Sequence, residues 1–394
     1  MTPRQIRIGV VGLGRAFMLM LPTFRADPRV ALTGAADPRP EARRRFEAEF
    51  GAPAYESAEA LCAQRAVDAL YVASPHQCHA EHVCIAAAAG LHVLVEKPMA
   101  LTLAECQSMI DAARRAGAHV VVGHSHSFDA PIRRARELIV SGEFGRLRMI
   151  TALNFTDFIY RPRRPEELDT RQGGGVVFSQ AAHQIDVVRL LGGGRLRSVR
   201  ASTGAWDVSR PTEGAYAALL EFDDGCFASL TYSGYAHFDT DEFSGWVGEM
   251  GETRGPDEYG NARLKLATAG SPETEAAQKA ARGYGGNVER GTHGPPMQHP
   301  HFGVVIASCE RADLRPTPAG VSIYGDLDKR TDTLPAPVVP RGEVIDELYD
   351  AVVHDRVPRH GGAWGLATLE ACLALLESAN AGREIMLRHQ VALE

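Results

Sequence analysis

Long apolar runs are missing from this 394-residue sequence. No stretch approaches the roughly 18 apolar residues of a membrane span, and Met1 to Gln5 lead straight into Ile6 to Val11 with no charged flank ahead of an apolar leader. A membrane partner and export are therefore not expected. Paired cysteines are missing too: Cys62, Cys78, Cys84, Cys106, Cys226, Cys309 and Cys372 are odd in number and contain no CxxC spacing, which excludes a disulfide framework and fits the reduced thiols of the cytoplasm. Nor is there a basic excess. Against 49 acidic residues stand 42 Lys and Arg, for a formal net charge of -7, so a nucleic-acid partner, which needs clustered cations to displace counterions, is not expected. Repeats and low-complexity tracts do not occur.

What is present is enough apolar sequence for two cores, since single cores stop growing at roughly 250 to 300 residues. In the first third, β-branched runs (Ile6 to Val11, Val30 to Ala36, Val67 to Ala73, His92 to Val95, His119 to Val122) alternate with helical patterns such as Arg39 to Phe50 and Leu101 to Ala116. Alternation of this kind builds βαβ units and a doubly wound parallel sheet, an α/β Rossmann domain over residues 1–125. Beyond it, residues 126–394 carry longer strand candidates: Leu147 to Ile159, Leu196 to Val208, Ala215 to Phe222 and Cys226 to Tyr235, the last two joined across Asp223-Asp224-Gly225, a tight antiparallel turn. Residues 250–300 (Gly248 to Pro300), rich in Gly, Pro and charge, read as a long loop or insertion, and helices return over 342–380, where the Ala-rich stretch stops near Gly382.

The first strand runs into Gly12-Leu13-Gly14-Arg15-Ala16, and Asp37 closes the next strand. This is a dinucleotide-binding layout. Gly12 permits the tight turn, Gly14 lets backbone N–H groups approach a pyrophosphate, and the helix N-terminus favours its charge. Phe17 stands where the fingerprint's third glycine would be. Asp37 suits the two ribose hydroxyls of NAD and repels a 2′-phosphate, while Arg39 beside it keeps NADP possible.

Glu96-Lys97-Pro98 follows an apolar strand, placing Lys97 at the carboxyl edge where such sheets bind ligands. Together with Gly12-Leu13-Gly14, Ser74-Pro75 followed by His79, and Gly173-Gly174-Gly175 leading to His183 and Asp186, it resembles the glucose-fructose oxidoreductase, inositol dehydrogenase and MocA (Gfo/Idh/MocA) family across nearly the whole chain. The resemblance implies a C-terminal α+β domain with a large, open, mainly antiparallel sheet that mediates a homodimer or homotetramer. It also implies that Lys97 polarises a substrate hydroxyl, that His183 exchanges its proton and that Asp186 supports it, with Ser74, Pro75, His76, His79, Glu96 and Lys97 beside the cofactor. Many members have Asp four residues before the histidine; here that residue is Ser179.

More locally, Gly12 to Phe17, Leu19 to Phe24, Arg161 to Pro165 and Ser179 to His183 resemble the branch of phthalate cis-4,5-dihydrodiol dehydrogenases. That resemblance implies oxidation of cis-4,5-dihydro-4,5-dihydroxyphthalate to 4,5-dihydroxyphthalate. Arg161, Arg163, Arg164 and Arg171 cluster ahead of the Gly-rich turn, and guanidinium forks suit carboxylates; Arg161, Arg163 and Arg164 are the candidate substrate ligands. A sugar or polyol dehydrogenase and a non-catalytic NAD(P)-sensing regulator are the alternatives. His124, His126 and Ser179 are candidate substrate contacts; His293, His299 and His301 read as polar lining or surface, with substrate contact by His301 the alternative for that residue. Cys78, His79, His82 and Cys84 do not make a zinc site, because Cys84 faces away from His79 on a helix. No metal is expected.

Overall fold

The computed structural model describes residues 4–64, 66–256, 261–286 and 298–393; His293 lies outside them. Two compact units form, one from Met1–His124, Ala277–Thr292 and Val338–Leu369, the other from Ser125–Ala276, His293–Pro337 and Glu370–Glu394. The second unit is thus not the continuous stretch expected after residue 125, because two later segments return to the first.

In the first unit, β1 (Ile6–Val11), α1 (Arg15–Ala26), β2 (Val30–Ala36), α2 (Pro40–Phe50), β3 (Ala54–Tyr55), α3 (Ala58–Cys62), β4 (Ala69–Val72), α4 (His79–Ala88), β5 (His92–Val95), α5 (Leu103–Ala116) and β6 (Val120–Val122) alternate. The sheet order is β3-β2-β1-β4-β5-β6, with every neighbouring pair parallel. That is the doubly wound order of dinucleotide-binding sheets. All of Ala69–Val72 and Val120–Val122 is buried, as strands covered by helices on both faces must be. Thr102 and Glu105 make a capping box at the start of α5, and Gly117 (φ +64°) ends it.

The second unit holds α6 (Ala130–Val140), β7 (Leu147–Phe155), α7 (Ala182–Gly192), β8 (Leu196–Gly204), β9 (Ala215–Phe222) and β10 (Phe227–Ser233). Asp223-Asp224-Gly225 makes the expected hairpin between β9 and β10, with Gly225 at φ +86°. Residues 250–300 are more than a loop, for α8 (Asn261–Ala269) and α9 (Pro272–Ala281) form inside them. Pro272 starts α9 where its missing N–H costs nothing, and an Ala-rich helix-forming run follows. Strands β11 (Val304–Cys309), β12 (Ala312–Thr317), β13 (Gly320–Gly325), β14 (Lys329–Thr333) and β15 (Ile385–Met386) complete a nine-stranded sheet, β14-β13-β12-β11-β7-β10-β9-β8-β15. Only β7 and β10 pair in parallel; the other pairs are antiparallel.

Two further helices follow, α10 (Gly342–His354) and α11 (Gly362–Ala381). Between them the chain covers the β6 edge of the parallel sheet: the Val122 N–H donates to the His360 carbonyl (2.8 Å), and Val121 bridges to Gly361. The His360 ring is fixed by Glu347 (2.9 Å) on α10. No helix among the described residues is long and apolar enough to cross a membrane.

Candidate active site

The turn after β1 is shaped by two glycines with different tasks. Gly12 has φ +93°, and a Cβ there would lie 2.7 Å from the Ser74 nitrogen and 2.8 Å from the Ala73 oxygen, so no side chain fits. At Gly14 a Cβ would meet nothing within 4 Å. Ground is therefore left open at the N-terminus of α1, beside Arg15 and Ala16, which suits a pyrophosphate. Asp37 is buried where β2 ends, accepting from the Leu13 N–H (2.8 Å) and pairing with the Arg39 guanidinium (2.9 Å). The residues present fit a dinucleotide.

Lys97 sits half-buried at the carboxyl end of β5, before a cis peptide to Pro98. Glu96 accepts from the Tyr71 hydroxyl (2.6 Å), and burial raises its pKa. Ser74 and His76 are half-buried, Pro75 is exposed, and His124 is buried. His79 is enclosed by the same turn. Its ring is fully buried, with Nδ1 3.0 Å from the Pro98 oxygen and Nε2 3.0 Å from the Ser74 oxygen. Burial outweighs both carbonyls and lowers its pKa to about 4, so the ring is neutral and only one nitrogen donates. It braces Ser74 against Pro98 and presents no polar atom to a cofactor.

In the second unit the histidines gather around α7. His183 and His126 meet edge to face with centroids 4.9 Å apart, and both rings pack on Phe302 at 5.1 Å. His126 Nδ1 lies 2.7 Å from a buried Asp129 oxygen. Asp186, one turn after His183, accepts from the buried Ser127 hydroxyl. Ser179 is half-buried in the π-helical turn Val177–Ala181 that opens α7, a distortion that recurs at functional sites. Asp129 and Phe302 escaped the sequence reading; the His126-x-x-Asp129 spacing was the available signal for the first, and nothing local marked the second.

The four arginines separate clearly. Arg171 is paired with Asp169 and its side chain is 90% exposed. Arg164 reaches Glu166 (3.1 Å) and Glu167 (3.5 Å), and Arg161 reaches Asp157 (3.0 Å). Arg163 differs. It is 8% exposed, its guanidinium lies 3.7 Å from the Phe158 ring centroid, Nη2 donates to the Phe158 carbonyl (2.7 Å), and among the described residues the carboxylate nearest the guanidinium, Glu167, is 3.9 Å away. Glu275 takes its backbone N–H and pairs instead with Arg210 (2.8 Å). Burial lowers the Arg163 pKa to about 10. Tyr232, stacked on Phe302 at 6.2 Å, feels the charges of Arg161 and Arg163, linking this cation to the histidine cluster. Among the described residues no three His, Cys, Asp or Glu side chains converge to hold a metal ion.

Residues 6–124 match the profile of an oxidoreductase family with an NAD-binding Rossmann fold, and residues 132–252 match the GFO/IDH/MocA C-terminal domain. The chain is 50% identical over 376 residues, 94% of each chain, to 1-carboxy-3-chloro-3,4-dihydroxycyclohexa-1,5-diene dehydrogenase of Comamonas testosteroni. It is 28% identical over 196 residues to myo-inositol 2-dehydrogenase of Thermotoga maritima, covering 49% of this chain and 57% of that one. A crystal structure of a chain named as a dehydrogenase from Bordetella bronchiseptica RB50 superimposes with a TM-score of 0.91 at 42% identity, over 97% of this chain and 100% of that one. With its fingerprint turn and Asp37 in place, the chain belongs to the Gfo/Idh/MocA family, has its NAD-binding Rossmann domain, and is an NAD(P)-dependent oxidoreductase.

Proposed function

We propose that this protein oxidises a cis-dihydrodiol of an aromatic carboxylate to the corresponding catechol, with cis-4,5-dihydro-4,5-dihydroxyphthalate as the first substrate to try. The observation that carries this reading is Arg163, a buried cation whose guanidinium lies 3.9 Å from the nearest carboxylate among the described residues, in the same unit as the His126–His183 cluster. A buried guanidinium with so distant a counterion is suited to a carboxylate that arrives with the substrate. The 50% identity to a dehydrogenase named for a carboxylated cyclohexadiene diol supports the same class.

Bound NAD supplies the hydride acceptor. The Lys97 ammonium donates to the reacting hydroxyl and stabilises negative charge on its oxygen. His183 takes the hydroxyl proton as the C–H bond breaks, while Asp186, held by Ser127, supports the imidazolium. The balance is diol and NAD⁺ to dihydroxyarene, NADH and H⁺; enolisation of the first-formed ketone gives the aromatic ring and draws the reaction forward. Ser74, His76, Glu96 and the Gly12–Ala16 turn hold the dinucleotide. Exposed Leu219 and Phe227 on the open face of the nine-stranded sheet support self-association as a dimer or tetramer, and seven unpaired cysteines suit the reducing cytoplasm.

NADH formation at 340 nm is measured with the phthalate diol, the 3-chlorobenzoate-derived diol, myo-inositol and glucose, alongside Lys97→Ala. Turnover of a carboxylated diol that is lost in Lys97→Ala is the expected result. Turnover of polyols alone moves the substrate class to sugars; NADH binding without any turnover identifies a sensor.

A further inference from the structure

The segment after α9 packs against the residue that stands at the fingerprint's third-glycine position. Phe17 occupies that glycine's position with no exposed surface, and its ring meets the edge of Tyr284 at 5.2 Å. Tyr284 is fully buried among Phe17, Phe46 and Phe50, its hydroxyl donates to Glu49 (2.8 Å) on α2, and the Arg45 guanidinium lies over its ring at 4.9 Å. An anchored ring of this kind fixes the backbone that carries it, and that backbone touches the cofactor turn. The Tyr284 N–H donates to the Leu13 carbonyl (3.0 Å), which also accepts from Arg39 Nη2 (2.8 Å), while the Leu13 N–H is held by Asp37. The peptide between the two fingerprint glycines is thereby pinned on both sides.

The neighbours of Tyr284 extend this contact along the adenosine end. A Cβ at Gly283 would lie 3.4 Å from Arg39 Nη1 and 3.7 Å from the Leu13 oxygen, and Gly285, at φ +83°, seats against the Ala42 backbone. Asp37 already receives four donors: Arg39 N–H and Nε on one oxygen, Leu13 N–H and Arg39 Nη2 on the other. Two carboxylate oxygens offer roughly four acceptor positions. A ribose hydroxyl therefore enters this site by displacing part of Arg39, whose resting position Gly283 borders.

We propose that Gly283–Gly286 is a part of the NAD site, and that Tyr284 is a positioning residue which holds the Gly12–Gly14 turn and the Asp37–Arg39 pair ready for the ADP-ribose half of the cofactor. The role is pre-organisation, which sets affinity for the part of the ligand it touches and leaves the reacting end alone.

Titrations of NADH, ADP-ribose and nicotinamide mononucleotide, followed by fluorescence or calorimetry, test this in the full chain. Tyr284→Ala is expected to weaken NADH and ADP-ribose to the same extent, about tenfold, with the mononucleotide unchanged and the KM for NAD raised much more than kcat falls. Tyr284→Phe, which keeps the ring, should restore affinity to within about twofold. Should Tyr284→Ala fail to fold, Gly283→Val keeps the anchor, crowds Arg39 and is expected to weaken NADH and ADP-ribose alike, with the mononucleotide unchanged. NADH and ADP-ribose affinities within twofold of the parent in the folded variants overturn the proposal. Absence of NADH binding in the parent would instead strike at the cofactor assignment itself.

Discussion

His126 and His183 stand edge to face, 4.9 Å between centroids, with an Asp129 oxygen fixed 2.7 Å from His126 Nδ1. Asp129 thus sets a carboxylate one ring away from His183, where Ser179 offers none. His126→Phe keeps the packing on Phe302 and removes the bond to Asp129. Its kcat is expected to fall about 10- to 100-fold, with the acid limb of the pH–rate profile displaced. Parent-like kcat in His126→Phe would limit His126 to packing.

Arg163→Met is expected to raise the KM of a carboxylated diol at least about tenfold, while the KM for NAD stays the same. Arg164→Met, already engaged by Glu166 and Glu167, should stay within about threefold. Equal effects of the two, read from steady-state kinetics, would remove Arg163 from the substrate site.

The two fingerprint glycines should fail differently. In Gly12→Ala the new Cβ meets backbone 2.7 Å away at φ +93°, and a loss of roughly 3 kcal/mol or more is expected by chemical denaturation. Gly14→Ala meets nothing, so its Tm should match the parent while NADH affinity drops, because the methyl stands where the pyrophosphate approaches.

His79 predicts an acid sensitivity. Its pKa falls from an ordinary 6.5 to about 4 on folding, so between these values the unfolded chain binds a proton that the folded one refuses. Stability is complete above pH 6.5 and declines as pH falls towards 4, by up to about 3 kcal/mol from this residue. Scans of Tm against pH should show a shallower decline in His79→Gln across that window. Parallel curves would contradict the assignment.

The parallel sheet was legible because its strands are continuous apolar runs, and the β9–β10 turn because Asp-Gly is a local signal. Strands β12 and β14 were not, since Ala312–Thr317 is a short run broken by Pro316, and Lys329–Thr333, at the sheet's edge, carries charge on both faces. Helices α8 and α9 hid behind the glycines and prolines that flank them. At the site, Lys97 was conspicuous as one of only four lysines, with Lys265, Lys279 and Lys329. The isolation of Arg163 from its three neighbours was not, because all four share one loop-rich segment and differ only in which carboxylates the fold brings to them. Phe17 looked like a defect in the fingerprint until Tyr284, a partner no spacing rule could supply, was placed against it.

The return of His360 and Gly361 to the β6 edge bears on how this protein can be cut and recombined. A fragment ending at residue 124 would expose the Val120–Val122 edge, three consecutive valines with unpaired backbone groups, and would invite edge-to-edge aggregation. Exchange of the cofactor-binding half between relatives must accordingly transplant three separated pieces of chain together, so that natural shuffling of this half by a single crossover is disfavoured.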